Sequence, residues 1–370
     1  MVYHVIGLMS GSSVDGLDLA FVQFHENGGK WSYEILNADC YPFPEEWQSR
    51  LKNASALNAL DYQILHVDYG HFLGEQINRF IDIYQLEFRV QLIASHGHTV
   101  FHVPEKRMTA QIGDGASIAA ETGVAVVSDL RSMDIALGGQ GAPIVPIGEK
   151  LLLGEYDFFL NLGGIANIAC HFRNKPDTGP VAFDISPANR VLNLLASEFN
   201  KDYDEDGKAA SQGNIDQNLL RQLNVQEYYF KLFPKSLANE FGTDIIYPII
   251  KRAGISTTDA LRTYVEHICV QIKNSIKILD EQYGSVEAQR KLLVTGGGAF
   301  NKFLMERLSA NLKEINTEVI LPDENLIKFK EALVMALIGV LRWREEINVF
   351  ASVTGASKDS IGGAVWMSGK

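Results

Sequence analysis

One arrangement occurs twice in this chain and limits what it can fold into. Residues 3–9 are apolar and β-branched, Ser10 to Gly16 form a polar turn rich in glycine and serine, and residues 17–24 alternate as a second strand. About 150 residues later residues 158–162 form an apolar run, Gly163 and Gly164 interrupt it, and residues 165–169 resume it. Each unit reads as a hairpin, and the first turn holds far more Gly and Ser than a tight two-residue turn needs. A strand–glycine–strand unit repeated at one domain's length points to two α/β domains built on a related plan. The 370 residues suit that reading, since a typical domain runs to about 100–200.

The stretches between these units carry helical and strand signals. Residues 44–86 have helical spacing, 90–95 read as a buried strand, and 138–143 are dense in glycine. Residues 187–199 read as a helix with Pro187 in its first turn, and 203–213 as a polar loop. The clearest helix covers 256–284: Ser256 and Asp259 form a capping box, and Leu261, Val265, Ile268, Ile272, Ile276 and Leu279 step by three and four. A strand at 291–295 ends in Gly296, Gly297 and Gly298, with helices expected at 299–308 and 330–346.

Charge narrows the partners. The net charge of −12 and a pI near 5.3 make a poor nucleic-acid binder, because phosphate neutralisation by Lys and Arg supplies most of that affinity. The same field repels an anionic substrate unless backbone N–H groups, Arg or a metal ion help locally. Cys40, Cys170 and Cys269 lie far apart with no CxxC between them, so neither a disulfide framework nor a zinc knuckle is expected. No secretory signal or membrane-spanning run is apparent, and the expected compartment is the cytoplasm.

Six constellations could carry chemistry, and each has a plainer reading. Gly11, Ser12, Ser13, Val14, Asp15, Gly16, Leu17 and Asp18 could bring backbone N–H groups and hydroxyls to a phosphate, with Asp15 and Asp18 holding Mg²⁺ through water; a hairpin turn alone would look similar. No Walker A pattern is present. Gly163 and Gly164 weaken a strand pair by about 0.5–1 kcal/mol each relative to Ala; either a close ligand or a β-bulge would explain them. Gly296–Gly298 could receive a nucleotide at a helix N-terminus or simply turn the chain. His96, His98 and His102 invite a metal, against ordinary hydrogen bonding or substrate contact. Arg131 could grip a carboxylate or phosphate, or pair at the surface with Asp129 or Asp134. Asp184 could serve in chemistry or cap the helix expected near Pro187.

Taken together these segments resemble one family. Residues 7–16, 95–102, 111–115, 129–146, 161–168, 295–301, 330–332 and 354–356 are similar, in order, to the motifs of anhydro-N-acetylmuramic acid kinases, across about residues 5 to 365. The resemblance implies a two-domain α/β fold with mixed sheets, the ribonuclease H-like fold of actin, Hsp70 and sugar kinases, with ATP in an interdomain cleft. It places an N-terminal lobe at 1–130, a C-terminal lobe at 131–345, and a segment at 346–370 returning to the first lobe. It implies ATP and Mg²⁺ as cofactors, Gly11–Asp18 and Gly163–Gly164 as phosphate loops, and Gly296, Gly297 and Gly298 against adenosine. Asp184 matches the family's catalytic base, and His96, Arg131, Gln140 and Glu331 fall at the sugar.

The implied reaction opens the 1,6-anhydro ring of anhydro-N-acetylmuramic acid with water and phosphorylates it to N-acetylmuramic acid 6-phosphate, in cell-wall recycling, by a cytoplasmic homodimer that touches neither nucleic acid nor membrane. The alternatives are a kinase of the same fold acting on another amino sugar or sugar acid, and a non-catalytic ATP- or sugar-binding sensor. The chain departs from the family pattern at Ile185, Ser186 and Ala188 beside the base, at His98, at Glu149, and at Leu237, Ala238 and Asn239.

Overall fold

The glycine turns do join paired strands. The computed structural model describes residues 1–11, 14–172, 179–233, 235–238, 240–284 and 288–369. β1 (Val2–Ser10) and β2 (Gly16–Asn27) are antiparallel, β3 (Lys30–Pro42) continues the meander, and β4 (Leu92–Ser95) runs parallel to β1. The short ribbon of β5 (His98–Val103) and β6 (Met108–Ile112) follows, then β7 (Val126–Ser128), parallel to β4. The second turn joins β8 (Phe158–Leu162) to β9 (Ile165–Cys170), with β10 (Val181–Pro187) antiparallel to β9. β11 (Arg290–Thr295) is parallel to β8, and β12 (Thr317–Ile320) is parallel to β11. β13 (Ala364–Trp366) pairs with β7.

The strand orders are β13-β7-β4-β1-β2-β3 and β10-β9-β8-β11-β12. Apart from the edge strand β13, both sheets have the same plan: a three-strand meander followed by two strands parallel to its first. That is the ribonuclease H-like sheet, built twice, in an α/β fold with mixed sheets.

The chain divides into two units, Met1–Gly154 with Phe329–Lys370, and Glu155–Lys328. The boundaries expected near 130 and 345 therefore move. Residues 131–154 stay with the first unit because Arg131 donates to Thr99 and the Asp134 carboxylate accepts from the Thr354 hydroxyl, contacts between segments far apart in sequence. The return to the first unit begins at Phe329, inside the helix Glu324–Trp343, where that residue leaves helical geometry (φ −114°, ψ 16°).

Each unit has its own core. In the first, Ile6, Leu8, Phe21 and Ile93 of the sheet pack with Tyr69, Leu73, Ile77 and Phe80 of the helix Ala59–Tyr84. The helix begins where the Asn58 side chain accepts from the N–H groups of Leu60 and Asp61. Gly7 has no alternative: a Cβ there would lie 2.0 Å from the carbonyl oxygen of Ala332. In the second unit the long helix is Thr257–Tyr283, capped by the Ser256 side chain and ended at Gly284 with φ 86°. Leu261, Val265, Ile268, Ile272, Ile276 and Leu279 are all buried, as their spacing requires, and each contributes about 1.5–3 kcal/mol by burial. Residues 203–213 are not a loop throughout: Lys208–Gln212 is helical. Among the described residues no helix is long and apolar enough to cross a membrane.

Candidate functional site

The first glycine turn sits between the ends of β1 and β2. Ser12 and Ser13 lie outside the described residues. Val14 is held at φ 58° with its side chain buried, and its N–H donates to the Gly11 carbonyl at 3.3 Å. A β-branched residue in left-handed geometry costs about 1–3 kcal/mol and persists where the surroundings enforce it, commonly at ligand clamps. Asp15 is exposed at the tip, where its carboxylate accepts from the Gly16 N–H at 3.0 Å.

Asp18 lies farther along β2, opposite Cys40 of β3, whose thiol donates to its carboxylate. Its carboxyl is pushed up to about 6, first by burial and then by the charges of Glu331 and Asp15. Glu331 is itself raised by burial, with Lys330 opposing. Among the described residues no group of three or more His, Cys, Asp or Glu side chains is arranged to hold a metal ion without further ligands. Asp15 and Asp18 are the residues that would hold Mg²⁺, with Glu331 close to Asp18.

A second cluster in the same unit surrounds Arg131. Its Nε donates to the Gly141 carbonyl at 2.6 Å and a terminal nitrogen donates to the Thr99 hydroxyl at 3.2 Å. The surface pairing with Asp129 or Asp134 does not form. Asp134 is buried and accepts from the Gly141 N–H at 2.7 Å and the Thr354 hydroxyl at 2.6 Å, while Asp129 accepts from the Ser132 hydroxyl. Asp134 thus builds the glycine turn, and the guanidinium rests on the Gly141 carbonyl and the Thr99 hydroxyl, with His102 Nδ1 3.5 Å from its other terminal nitrogen. Gln140 rides on that turn, its N–H bonded to the Thr354 carbonyl at 2.8 Å and its side chain exposed.

His96 is buried, its Nδ1 3.0 Å from the Gly97 carbonyl, and it is pulled down to about 4 by burial and then by Arg131, so it is neutral at pH 7. Gly97, at φ 71°, turns the chain between His96 and His98. The two imidazoles therefore do not share a strand face; His98 lies against the Ser10 hydroxyl at 3.2 Å. Thus His96, Arg131 and the Gln140 turn come together, whereas Glu331 belongs with Asp18.

In the second unit the glycines separate into two kinds. A Cβ on Gly163 or Gly164 would meet nothing nearer than 3.5 or 3.9 Å, and neither residue has positive φ. The β8–β9 register runs on without a shift, so there is no bulge. The chain's own packing does not require glycine at either position. Gly296 and Gly298 are required by the fold: Gly296 has φ 82° and a Cβ 2.3 Å from Asn161 Oδ1, and a Cβ on Gly298 would lie 2.7 Å from Leu162 Cβ. Gly297, whose nearest neighbour would be 3.7 Å away, again has room.

These glycines do not open an α-helix directly. Gly297–Phe300 is a 3₁₀ turn, and the helix Lys302–Lys313 starts after Asn301 as its cap. Asn189, which the sequence reading did not single out, links the two glycine loops. Its Nδ2 donates to the Leu162 carbonyl at 2.9 Å, its N–H to the Gly163 carbonyl at 3.1 Å, and its Oδ1 would sit 3.0 Å from a Cβ on Gly298. A cradle that side chains would fill suits the phosphates and adenosine of ATP.

Asp184 is not a helix cap. It lies inside β10, which runs on to Pro187, and the helix Asn189–Ala196 begins after Ala188. Pro187 looks like a first-turn proline but ends the strand. The Asp184 N–H donates to the Lys235 carbonyl at 3.2 Å, and its Oδ2 accepts from the Leu237 N–H at 2.8 Å. Its Oδ1 accepts no hydrogen bond from the described residues, and burial raises the carboxyl, with the Leu237 N–H opposing.

A family model, anhydro-N-acetylmuramic acid kinase, matches residues 3–368. This chain belongs to that family. Curated relatives called anhydro-N-acetylmuramic acid kinase include one from Photobacterium profundum, 31% identical over 99% of both chains. Another, from Hydrogenovibrio crunogenus, is 33% identical over 98% of this chain and 97% of its own. Among solved structures, component A of (R)-2-hydroxyglutaryl-CoA dehydratase from Acidaminococcus fermentans aligns with a TM-score of 0.46 at 12% identity, covering 91% of this chain and 97% of that one.

The departures from the anhydro-N-acetylmuramic acid kinase pattern are mostly accommodated by backbone or core. Leu237 serves Asp184 through its N–H, which any residue but proline supplies. Ile185 lies at the register shift of β10 and is buried in the core, and Ala188 is fully buried beside it. Glu149 forms a buried ion pair with Lys330 at 3.0 Å, next to Glu331. Asn239 lies outside the described residues.

Proposed function

We propose that this chain transfers the γ-phosphoryl group of ATP to 1,6-anhydro-N-acetylmuramic acid while water opens the anhydro bridge. The observation that supports the reading is Asp184, a half-buried, raised carboxylate with Oδ2 fixed by the Leu237 N–H and Oδ1 accepting no hydrogen bond from the described residues, in a chain that matches the family from residue 3 to residue 368. Oδ1 accepts a proton from the attacking water. The water oxygen bonds to C1, the C1–O6 bond breaks, and O6 takes the γ-phosphoryl group as its bond to the β-phosphate oxygen breaks. The products are N-acetylmuramic acid 6-phosphate and ADP. A positioned base of this kind supplies about 10²–10⁴-fold in rate.

The other residues bind and orient. The loops at Gly11–Asp18 and Gly163–Gly164 receive the phosphates through backbone N–H groups, and Gly297, with room beside it, faces adenosine. Asp15 and Asp18 would hold Mg²⁺ through water, and the ion when bound neutralises charge on the phosphates. Arg131, bonded to the Gly141 carbonyl and the Thr99 hydroxyl with no ion-pair partner among the described residues, His96 as a neutral imidazole, Gln140 and Glu331 contact the sugar. The same reading gives a cytoplasmic homodimer acting in cell-wall recycling.

A sugar panel tests it. ADP release with the anhydro sugar, N-acetylmuramic acid and N-acetylglucosamine should be fastest with the anhydro sugar. Preference for an unbridged sugar would overturn the assignment, and ADP release independent of every sugar would favour a sensor.

A further inference from the structure

β10 shifts register between Asp184 and Ser186. A bulge frees the strand locally from its neighbour, so the direction of the residue before it depends on other contacts. Two phenols from outside the sheet supply them. The Tyr228 hydroxyl donates to the Asp184 carbonyl oxygen at 2.7 Å, and the Tyr264 hydroxyl donates to the Pro187 carbonyl oxygen at 2.8 Å. One bond falls on each side of the bulge.

Both phenols are firmly seated. Tyr264 is fully buried on the helix Thr257–Tyr283. Tyr228 belongs to the turn Glu227–Phe230, packs on Phe241 with ring centres 5.5 Å apart, and carries the Lys235 ammonium 4.8 Å above its ring. Its neighbour Tyr229 meets His267 Nε2 at 3.0 Å, and His267 Nδ1 meets Asn224 at 2.7 Å. Burial pulls His267 down to about 3 and keeps it neutral. This polar chain anchors the turn to the long helix, and the Lys235 carbonyl and the Leu237 N–H also hold Asp184.

We infer that Tyr228 is a positioning residue for Asp184: its hydroxyl fixes the backbone of the bulged strand so that Oδ1 keeps its aim, and Tyr264 does the same at Pro187. The inference rests on the reading of Asp184 as the base.

The test is a double-mutant cycle. Tyr228→Phe removes one oxygen and leaves the ring contacts. It should lower kcat about tenfold, below the ~10²-fold that a 1 Å misplacement can cost, with KM for ATP and for the sugar within about twofold. In an Asp184→Asn background the same substitution should cause no further loss, because the group being aimed no longer accepts a proton. A merely structural phenol would lower activity by the same factor in both backgrounds, and that result overturns the inference, as does a Tyr228→Phe kcat within about twofold of wild type. If Tyr228→Phe does not fold, Tyr264→Phe carries the same cycle. Wild-type kcat in Asp184→Asn alone would sink the base assignment, and the inference with it, before either tyrosine is changed.

Discussion

Asp18→Asn should stabilise the first unit at neutral pH while abolishing turnover. In the wild-type chain burial, and then Glu331 and Asp15, lift Asp18 from 3.8 to about 6. Below about pH 3 both folded and unfolded chains hold the proton, and the site carries no penalty. As pH rises from about 4 to 6 the unfolded chain ionises first, so stability falls through that window and stays reduced above it. A shift of about two units is at most ~3 kcal/mol, and partial exposure lowers this to roughly 1–3 kcal/mol. Asparagine removes the charge and keeps an oxygen for the Cys40 thiol.

Trp31, Trp47, Trp343 and Trp366 all lie in the first unit, so tryptophan fluorescence reports its unfolding. With a urea slope of about 3 kcal/mol/M, the Asp18→Asn midpoint should be higher by about 0.3–1 M at pH 7.5 and by only a small fraction of that at pH 4. Mg²⁺ should raise the wild-type midpoint at pH 7.5 and leave the variant's unchanged. A midpoint below wild type at pH 7.5, or an equal difference at both pH values, would refute the reasoning.

Asp184→Asn should lower kcat by about 10²–10⁴-fold with ATP binding by calorimetry little changed, since asparagine still accepts from the Leu237 N–H; near-normal turnover would remove the base. Gly164→Ala should leave the unfolding midpoint at or slightly above wild type, because a Cβ there meets nothing within 3.9 Å, yet weaken ATP binding; unchanged affinity would take Gly164 out of the phosphate loop. Lys330→Met should destabilise by about 3–5 kcal/mol by leaving Glu149 buried without its lysine, and Lys330→Met/Glu149→Leu should recover most of the loss. Equal destabilisation in the single and double variants, read by urea unfolding, would deny the ion pair that role.

Local chemistry made much of this architecture legible. Alternation and glycine marked both hairpins, and the Ser256 cap with the stripe from Leu261 to Leu279 marked the long helix. What escaped depends on contacts distant in sequence. Asp184 followed by Pro187 looks like a helix start, but pairing with β9 extends the strand through the proline. Arg131 has acids two residues before and three after it, yet Asp134 is taken by Gly141 and by Thr354, 220 residues away. The first unit keeps residues 131–154 for the same reason. Tyr228 and Tyr264 were invisible as site residues because each acts on a backbone carbonyl, which leaves no motif. Asn189 carried a faint signal, an Asn following Pro-Ala at a helix start.

The proposed reaction couples ring opening to phosphoryl transfer. Incubation of the wild-type protein with ATP, Mg²⁺ and 1,6-anhydro-N-acetylmuramic acid, with the sugar product weighed by mass spectrometry, tests it most directly. The expected product is a sugar heavier by one phosphoryl group and one water, appearing together with ADP in equal amounts. A product that gains the phosphoryl group without water, or water without the phosphoryl group, would contradict it.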